Sequence, residues 1–422
     1  MNLNLILIIS LLSIIKTEIL IIPFEKNEEK KPFNFTKDII ENLMYTNISV
    51  GTPYQKIKSY ITLNKGAFYI SDYYLPKQFD INLSSTFNFE SNDMNFSSEE
   101  DFKKGKLSKD IFQFKNIKGN NIILSNITFI YATNNNKNLK PFPSALGFML
   151  KTVPSKQKYN FLYQLKENKI ISSYTFTIKF KNENYGEIII GDYPHIYNNN
   201  FILGDFQYTK ILDFDNFFQW KFQIETIFNN EEIIENKVDI IISLNYGICI
   251  GGNTYLKIIN STFFKEYIEK EICEYKLSDN NLIYFFECNS NIEIGKFPKL
   301  KFYQKIMNYT FELDYNDLFI LKDKKLYFLI GFRKRSSYDW VLGVPFLKKF
   351  QLVFDQEREI IGIYTNFNKN KNDYFFKILT VVCLLIIVFL ISLLYKIIHK
   401  KRKIRANELE ENFEYISEEN LF

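Results

Sequence analysis

Two short stretches of this chain share one chemical pattern. Thr62-Leu63-Asn64-Lys65-Gly66-Ala67 and Ser243-Leu244-Asn245-Tyr246-Gly247-Ile248 each run hydroxyl residue, Leu, Asn, any residue, Gly, and each follows an apolar run. A hydroxyl attacks as a nucleophile only with a base within about 3 Å. The chain holds two histidines, His195 and His399, and the second lies in a basic run after a long apolar segment. At most one imidazole is left for the folded body, which argues against Ser-His and Cys-His hydrolases and against a His-based zinc site. Lys65 is near Thr62 in sequence and reads as a solvated turn lysine. No metal and no cofactor is expected.

The elements that must carry these residues are strands. Between residues 45 and 365 the chain is mostly short β-rich runs, such as TFTIKF (175–180), GEIIIG (186–191), KLKFY (299–303) and LVFD (352–355), separated by Asn, Asp, Lys and Gly turns. Helical spacing is confined to short stretches, as in residues 160–168. Many short strands with few helices indicate an all-β sandwich or barrel. A second matched pair, Ala145-Leu146-Gly147-Phe148 and Val341-Leu342-Gly343-Val344, follows the first pair in the same order. Matched order in both halves predicts two lobes of similar build related by a pseudo-twofold.

Charge and the chain ends set the compartment. Of 422 residues, 53 are Lys or Arg and 48 Asp or Glu, giving +5. Six positives at 396–405 and six negatives at 406–422 cancel, leaving no basic stripe and no nucleic-acid signature. Residues 5–15 are an apolar run of signal-peptide length, so 1–16 is read as a signal peptide. Residues 378–395 are eighteen residues without a charge, enough helix at about 27 Å to span a hydrocarbon core. The basic cluster behind them places the tail in the cytosol and the body in the lumen or exterior. The expected order is a short segment at 17–44, lobes at 45–200 and 201–365, a linker at 366–377, the span at 378–395 and a cytoplasmic tail at 396–422. Sequons occur at Asn34, Asn47, Asn82, Asn95, Asn126, Asn260 and Asn308. In an oxidising compartment Cys273 and Cys288 can join and brace a hairpin, contributing about 3 kcal/mol. Cys249 reads as a buried thiol, and Cys383 lies in the anchor.

Several further motifs stand in a known order. Residues 45–55 (YTNISVGTPYQ), Phe142 to Phe148 (FPSALGF), Gly186 to Tyr193, Phe297 to Phe302 (FPKLKF), Trp340-Val341-Leu342-Gly343 and Phe350 to Gly362 follow one another along the chain. With them the sequence resembles the pepsin-like aspartic proteases over residues 45–365. That resemblance implies a mainly β, bilobal, pepsin-like double β-barrel, here followed by a single C-terminal transmembrane helix. It also implies a pair of D-T-G loops whose two carboxylates share one proton, one serving as base on a water and the other as acid. Thr62-Leu63-Asn64 and Ser243-Leu244-Asn245 stand where those loops belong. Both aspartates are replaced, and Leu63 and Leu244 stand for the threonines that brace the loops. The Asn in each loop is expected to tolerate the left-handed backbone that the family's glycine allows.

The resemblance therefore predicts a membrane-anchored pseudoprotease of type I topology, a glycoprotein with a disulfide and no catalytic residue. Thr62, Asn64, Ser243, Asn245 and Phe102 would line its cleft, with Phe102 at the place of the flap tyrosine. An extended peptide or a protein is the partner such a cleft would take; the oligomeric state is unspecified. Two alternatives stay open. One is an active aspartic-type endopeptidase with a displaced carboxylate, for which Asp239 is the candidate. The other is a structural or adhesive surface protein with an occluded cleft.

Overall fold

Alternation of apolar and polar residues builds the first strand, Leu20–Lys26, in which Leu20, Ile22 and Phe24 turn inward. The computed structural model describes residues 17–26, 33–41, 43–72, 79–91, 94–95, 104–133, 143–150, 159–212, 219–279, 281–333, 340–365, 380, 382–398 and 400–402. The chain divides into a body ending at Thr365 and a C-terminal segment from Asn366.

In the body, six antiparallel strands form a central layer: Phe206–Lys210, Ile360–Tyr364, Val353–Asp355, Thr175–Phe180, Tyr185–Ile190 and Leu20–Lys26. The same sheet continues into the N-terminal half through Met44–Val50, Gln55–Thr62, Ser144–Gly147, Phe68–Ser71, Asn121–Thr133 and Lys104–Asn116. A second sheet of eleven strands belongs to the C-terminal half. The fold is mainly β, with two barrel-like sheets of the pepsin type.

The pseudo-twofold is visible in strand pairing. Gln55–Thr62 runs parallel to Ser144–Gly147, which is antiparallel to Phe68–Ser71, itself parallel to Asn121–Thr133. In the other half Glu232–Ile242 runs parallel to Trp340–Leu342, which is antiparallel to Cys249–Gly251, itself parallel to Ile330–Arg333. One apolar core cluster reaches through both halves, from Leu63, Phe68 and Phe148 to Trp220, Leu244 and Phe354. Trp220 ties the halves directly, its Nε1–H donating to the Phe148 carbonyl at 2.7 Å.

Residues 17–44, read from sequence as a segment ahead of the lobes, contribute a strand of the central layer and a short helical turn, Thr36–Ile40. Pro23 is tolerated inside that strand. Its second neighbours pair only at Leu20–Ile21 and Glu25–Lys26, leaving the middle without a demand for an N–H on that side. Cys273 and Cys288 are directly opposed on the strands Cys273–Leu277 and Ile283–Asn289 and are joined as a disulfide, which braces the hairpin as expected.

In the C-terminal segment, one apolar helix runs Val382–Arg402. It begins within the apolar run and continues into the basic cluster, and its described apolar side chains are exposed. Its length and composition are compatible with a single membrane span. The signal-peptide residues and most of the tail lie outside the described residues.

Candidate functional site

The matched strands end at matched loops. Thr62 and Ser243 are both buried, at 0% and 1% exposure, each at the close of its central strand. The Thr62 hydroxyl accepts from the Asn64 backbone N–H at 3.2 Å, and the Ser243 hydroxyl accepts from the Asn245 N–H at the same distance. Each hydroxyl thus closes its own tight turn. The Leu63 and Leu244 side chains are fully buried in the shared core.

Gly147 and Gly343 explain the second matched pair. A Cβ at Gly147 would lie 2.2 Å from the Lys65 carbonyl oxygen, and one at Gly343 would lie 2.1 Å from that of Ile248 and 2.4 Å from that of Tyr246. The loops cross directly over these glycines. The Phe148 N–H donates to the Thr62 carbonyl at 2.8 Å, and the Ser243 N–H to the Leu342 carbonyl at 3.1 Å.

One expectation for the loops is corrected. Asn64 and Asn245 do not adopt a left-handed backbone; neither is among the residues with positive φ. The turns close instead through the hydroxyl two residues earlier, which needs only the Asn backbone N–H. Both Asn Oδ1 atoms are buried and unpartnered.

Carboxylates are remote from these turns in sequence: residues 55–71 and 240–252 contain neither Asp nor Glu. Asp239 lies on the strand Glu232–Ile242, four residues before Ser243, and pairs with Lys221 at 3.0 Å. At about 3.3 Å per residue that is some 13 Å along the strand. Cys249 follows the second loop and is buried, and burial pushes its thiol up to about 12. Phe102 lies outside the described residues. Gly105, three residues further on, lies in the strand Lys104–Asn116 and pairs with Met94. Among the described residues no cluster of His, Cys, Asp or Glu is assembled to hold a metal.

Sequence reasoning missed what covers the second loop. Phe35 stacks at 4.6 Å on Tyr327 and lies 4.2 Å from the Phe285 ring, while Ile39 and Ile40 pack with Ile248, Ile250 and Val341. The Gly247 N–H donates to the Ile40 carbonyl at 3.3 Å. Polar ties fix the same segment: Asn34 Nδ2 donates to Asp279 at 2.8 Å, and the Asp279 N–H donates to the Thr36 hydroxyl at 3.1 Å. Residues 33–41 therefore form a strap across the loop that carries Ser243. A cavity of about 510 Å³ lies beside it, lined by Lys26, Phe33, Ile39, Gly247, Phe319 and Lys348 among others. The available signal was the run Phe33, Phe35, Ile39, Ile40 within an otherwise charged stretch.

A family model of the eukaryotic aspartyl proteases matches residues 44–365, and the chain belongs to that family. No curated protein sequence matches it. Among solved structures it is similar to the Basic 7S globulin from soybean, with a TM-score of 0.61 and 15% identity over 83% of this chain and 95% of that one. It is equally similar to conglutin gamma, a basic 7S globulin from lupine seeds, at 0.61 and 15% over 83% and 96%. At that identity the likeness is one of fold.

Proposed function

We propose that this protein is a membrane-anchored pepsin-like pseudoprotease, with Thr62 and Ser243 at the positions where the family carries its carboxylate pair. The observation that carries this reading is the matched geometry of the two hydroxyls. Each is buried, each closes its own turn, and no carboxylate occurs in either loop. Without an acid and a base, the loss in rate is at least about 10⁴-fold on typical magnitudes. The Lys221 ion pair supports Asp239 as a structural residue, against the displaced-carboxylate alternative.

A pepstatin-type inhibitor tests this reading, since its central hydroxyl is recognised by the carboxylate pair. Ligand binding to the folded state raises its melting temperature by mass action. No inhibitor-dependent rise between pH 3 and 6 is expected; a clear, saturable rise would overturn the proposal.

The strap favours a second reading, the structural or adhesive body with an occluded cleft. Residues 33–41 cover the Ser243 loop with the chain's own aromatic and aliphatic side chains. Peptide-array binding by the wild type and by Phe35→Ala separates the two. Binding by the wild type supports a cleft open to an extended peptide, whereas binding by Phe35→Ala alone, or by neither protein, supports occlusion.

A further inference from the structure

Where the chain leaves the body, it leaves beside an apolar tip. The last body strand, Ile360–Tyr364, pairs with Phe206–Lys210, and Thr365 is held to this edge by its N–H donating to the Asp205 carbonyl at 3.0 Å. The segment just before Phe206 carries Ile196, Ile202 and Leu203 at 60%, 64% and 64% exposure, and Tyr208 follows at 40%. Single exposed apolar residues are ordinary on a protein surface. Four on one stretch of thirteen residues, two of them adjacent, are a local concentration of the kind that marks an interaction surface.

The tip is rigid underneath. Phe201, Val353 and Tyr364 form a small buried cluster, with Tyr193 and Phe206 packed on it. The Phe201 N–H donates to the Asn198 carbonyl and the Asp205 N–H to the Ile202 carbonyl, both at 3.0 Å, so the loop is locked in place. Tyr208 stands at its rim with the Arg358 guanidinium 4.9 Å from its ring centre, and Lys210 is exposed at the end of the same strand. An apolar apex with an aromatic, two cations and the half-buried Asp205 around it suits the boundary between headgroups and acyl chains.

We propose that this tip rests in the membrane interface, with Ile202 and Leu203 inserted among the lipids and Tyr208 at headgroup level. The inference rests on the reading of the C-terminal helix as a span. From Thr365, twelve residues (366–377) reach the apolar run. Twelve residues reach at most about 40 Å. The tip is consequently held at high effective concentration against a lipid surface. The occupant is a lipid bilayer rather than a second copy of the chain because the exit at Thr365 and the tip are one place. The contact is apolar, so zwitterionic lipid suffices.

The test uses the full chain in phosphatidylcholine nanodiscs. A Leu203→Cys variant in a Cys383→Ser background carries an environment-sensitive fluorophore. Leu282→Cys is the control: Leu282 is 62% exposed and adjoins the strand Ile283–Asn289, six strands from Leu300–Gln304, whose Gln304 touches Thr209. With lipid bearing a nitroxide quencher on the acyl chain, emission at position 203 should fall by about half, against roughly a tenth at 282, for insertion to interfacial depth. Equal quenching at the two positions would overturn the inference. So would a blue shift at 203 without quenching, which would identify a protein partner. Alkaline carbonate extraction is run alongside. Release of the chain from vesicles would remove the span, and this inference with it, whereas retention with no quenching at 203 refutes the docking alone.

Discussion

Thr62 and Ser243 each commit their hydroxyl to the backbone N–H two residues ahead, which makes them turn-forming residues at the end of a strand. Other ionisable groups are placed with equal consequence. Burial keeps the Cys249 thiol protonated, so its thiolate is about a thousandfold scarcer than that of a free cysteine. Alkylation at pH 8 followed by mass spectrometry should leave Cys249 unmodified until the body unfolds; labelling of the folded protein would contradict that placement. Two glutamates make opposite contributions to pH dependence. At Glu287 burial raises the carboxyl, but hydrogen bonds from Lys325 and Lys276 outweigh it and hold it below its ordinary 4.5. Its stabilisation is present above that value and is lost as pH falls through the folded-state value. Glu235 is raised by burial, against the hydrogen bond it accepts from Trp340 Nε1 at 2.6 Å. Its contribution is complete below 4.5 and is lost as pH rises through the folded value. Glu287→Gln should flatten the acid limb of a melting-temperature profile, and Glu235→Gln should raise the neutral limb. Glu287→Gln leaving the acid limb unchanged would refute the first assignment, and no rise at neutral pH the second. Neither carboxylate was legible in the sequence, because partners 11, 38 and 105 residues away set their environment.

Strands and loops were more legible than ionisable groups, for a geometric reason. The apolar-apolar-Gly motifs at 145–147 and 341–343 occur where a loop crosses over a strand, and only glycine admits the carbonyls above it. Gly147→Ala and Gly343→Ala should each cost about 1–3 kcal/mol through overpacking, read as a lower denaturant midpoint. A neutral result at both would mean that the loops can shift aside. The strap escaped the sequence reading because its environment is wholly long-range: Phe35 contacts Phe285 and Tyr327, some 250 to 292 residues away. The basic-acidic stretch at 24–33 made residues 17–44 read as a short segment ahead of the lobes. Phe35→Ala should remove about 3 kcal/mol of packing from the strap and raise amide exchange in residues 33–41 above that of the strand Leu20–Lys26. Unchanged exchange in the strap would show that the polar ties alone hold it.

Across the whole molecule, one core spans two matched halves, and the halves keep their fold-defining segments while their central turns are closed by hydroxyls. Motif order made this architecture legible, since strand pairings recur wherever the motifs do. The strap and the apolar tip are particular to this chain and needed coordinates. Five sequons, at Asn47, Asn82, Asn126, Asn260 and Asn308, are exposed, whereas Asn34 is half-buried and bonded to Asp279. Glycopeptide mapping of secretory-pathway protein should find glycan among the five and none at Asn34; glycan at Asn34 would mean that the strap is not closed when the chain is modified. The central claim is that no pair of acids is available to move a proton across a peptide bond. Its most direct test is cleavage of an unbiased peptide mixture between pH 3 and 6 by the purified full-length chain and by its Phe35→Ala variant, so that a closed strap cannot hide activity. The account predicts no products above a mock preparation from either protein. Cleavage that disappears on Asp239→Asn, or that a pepstatin-type inhibitor blocks, would contradict it.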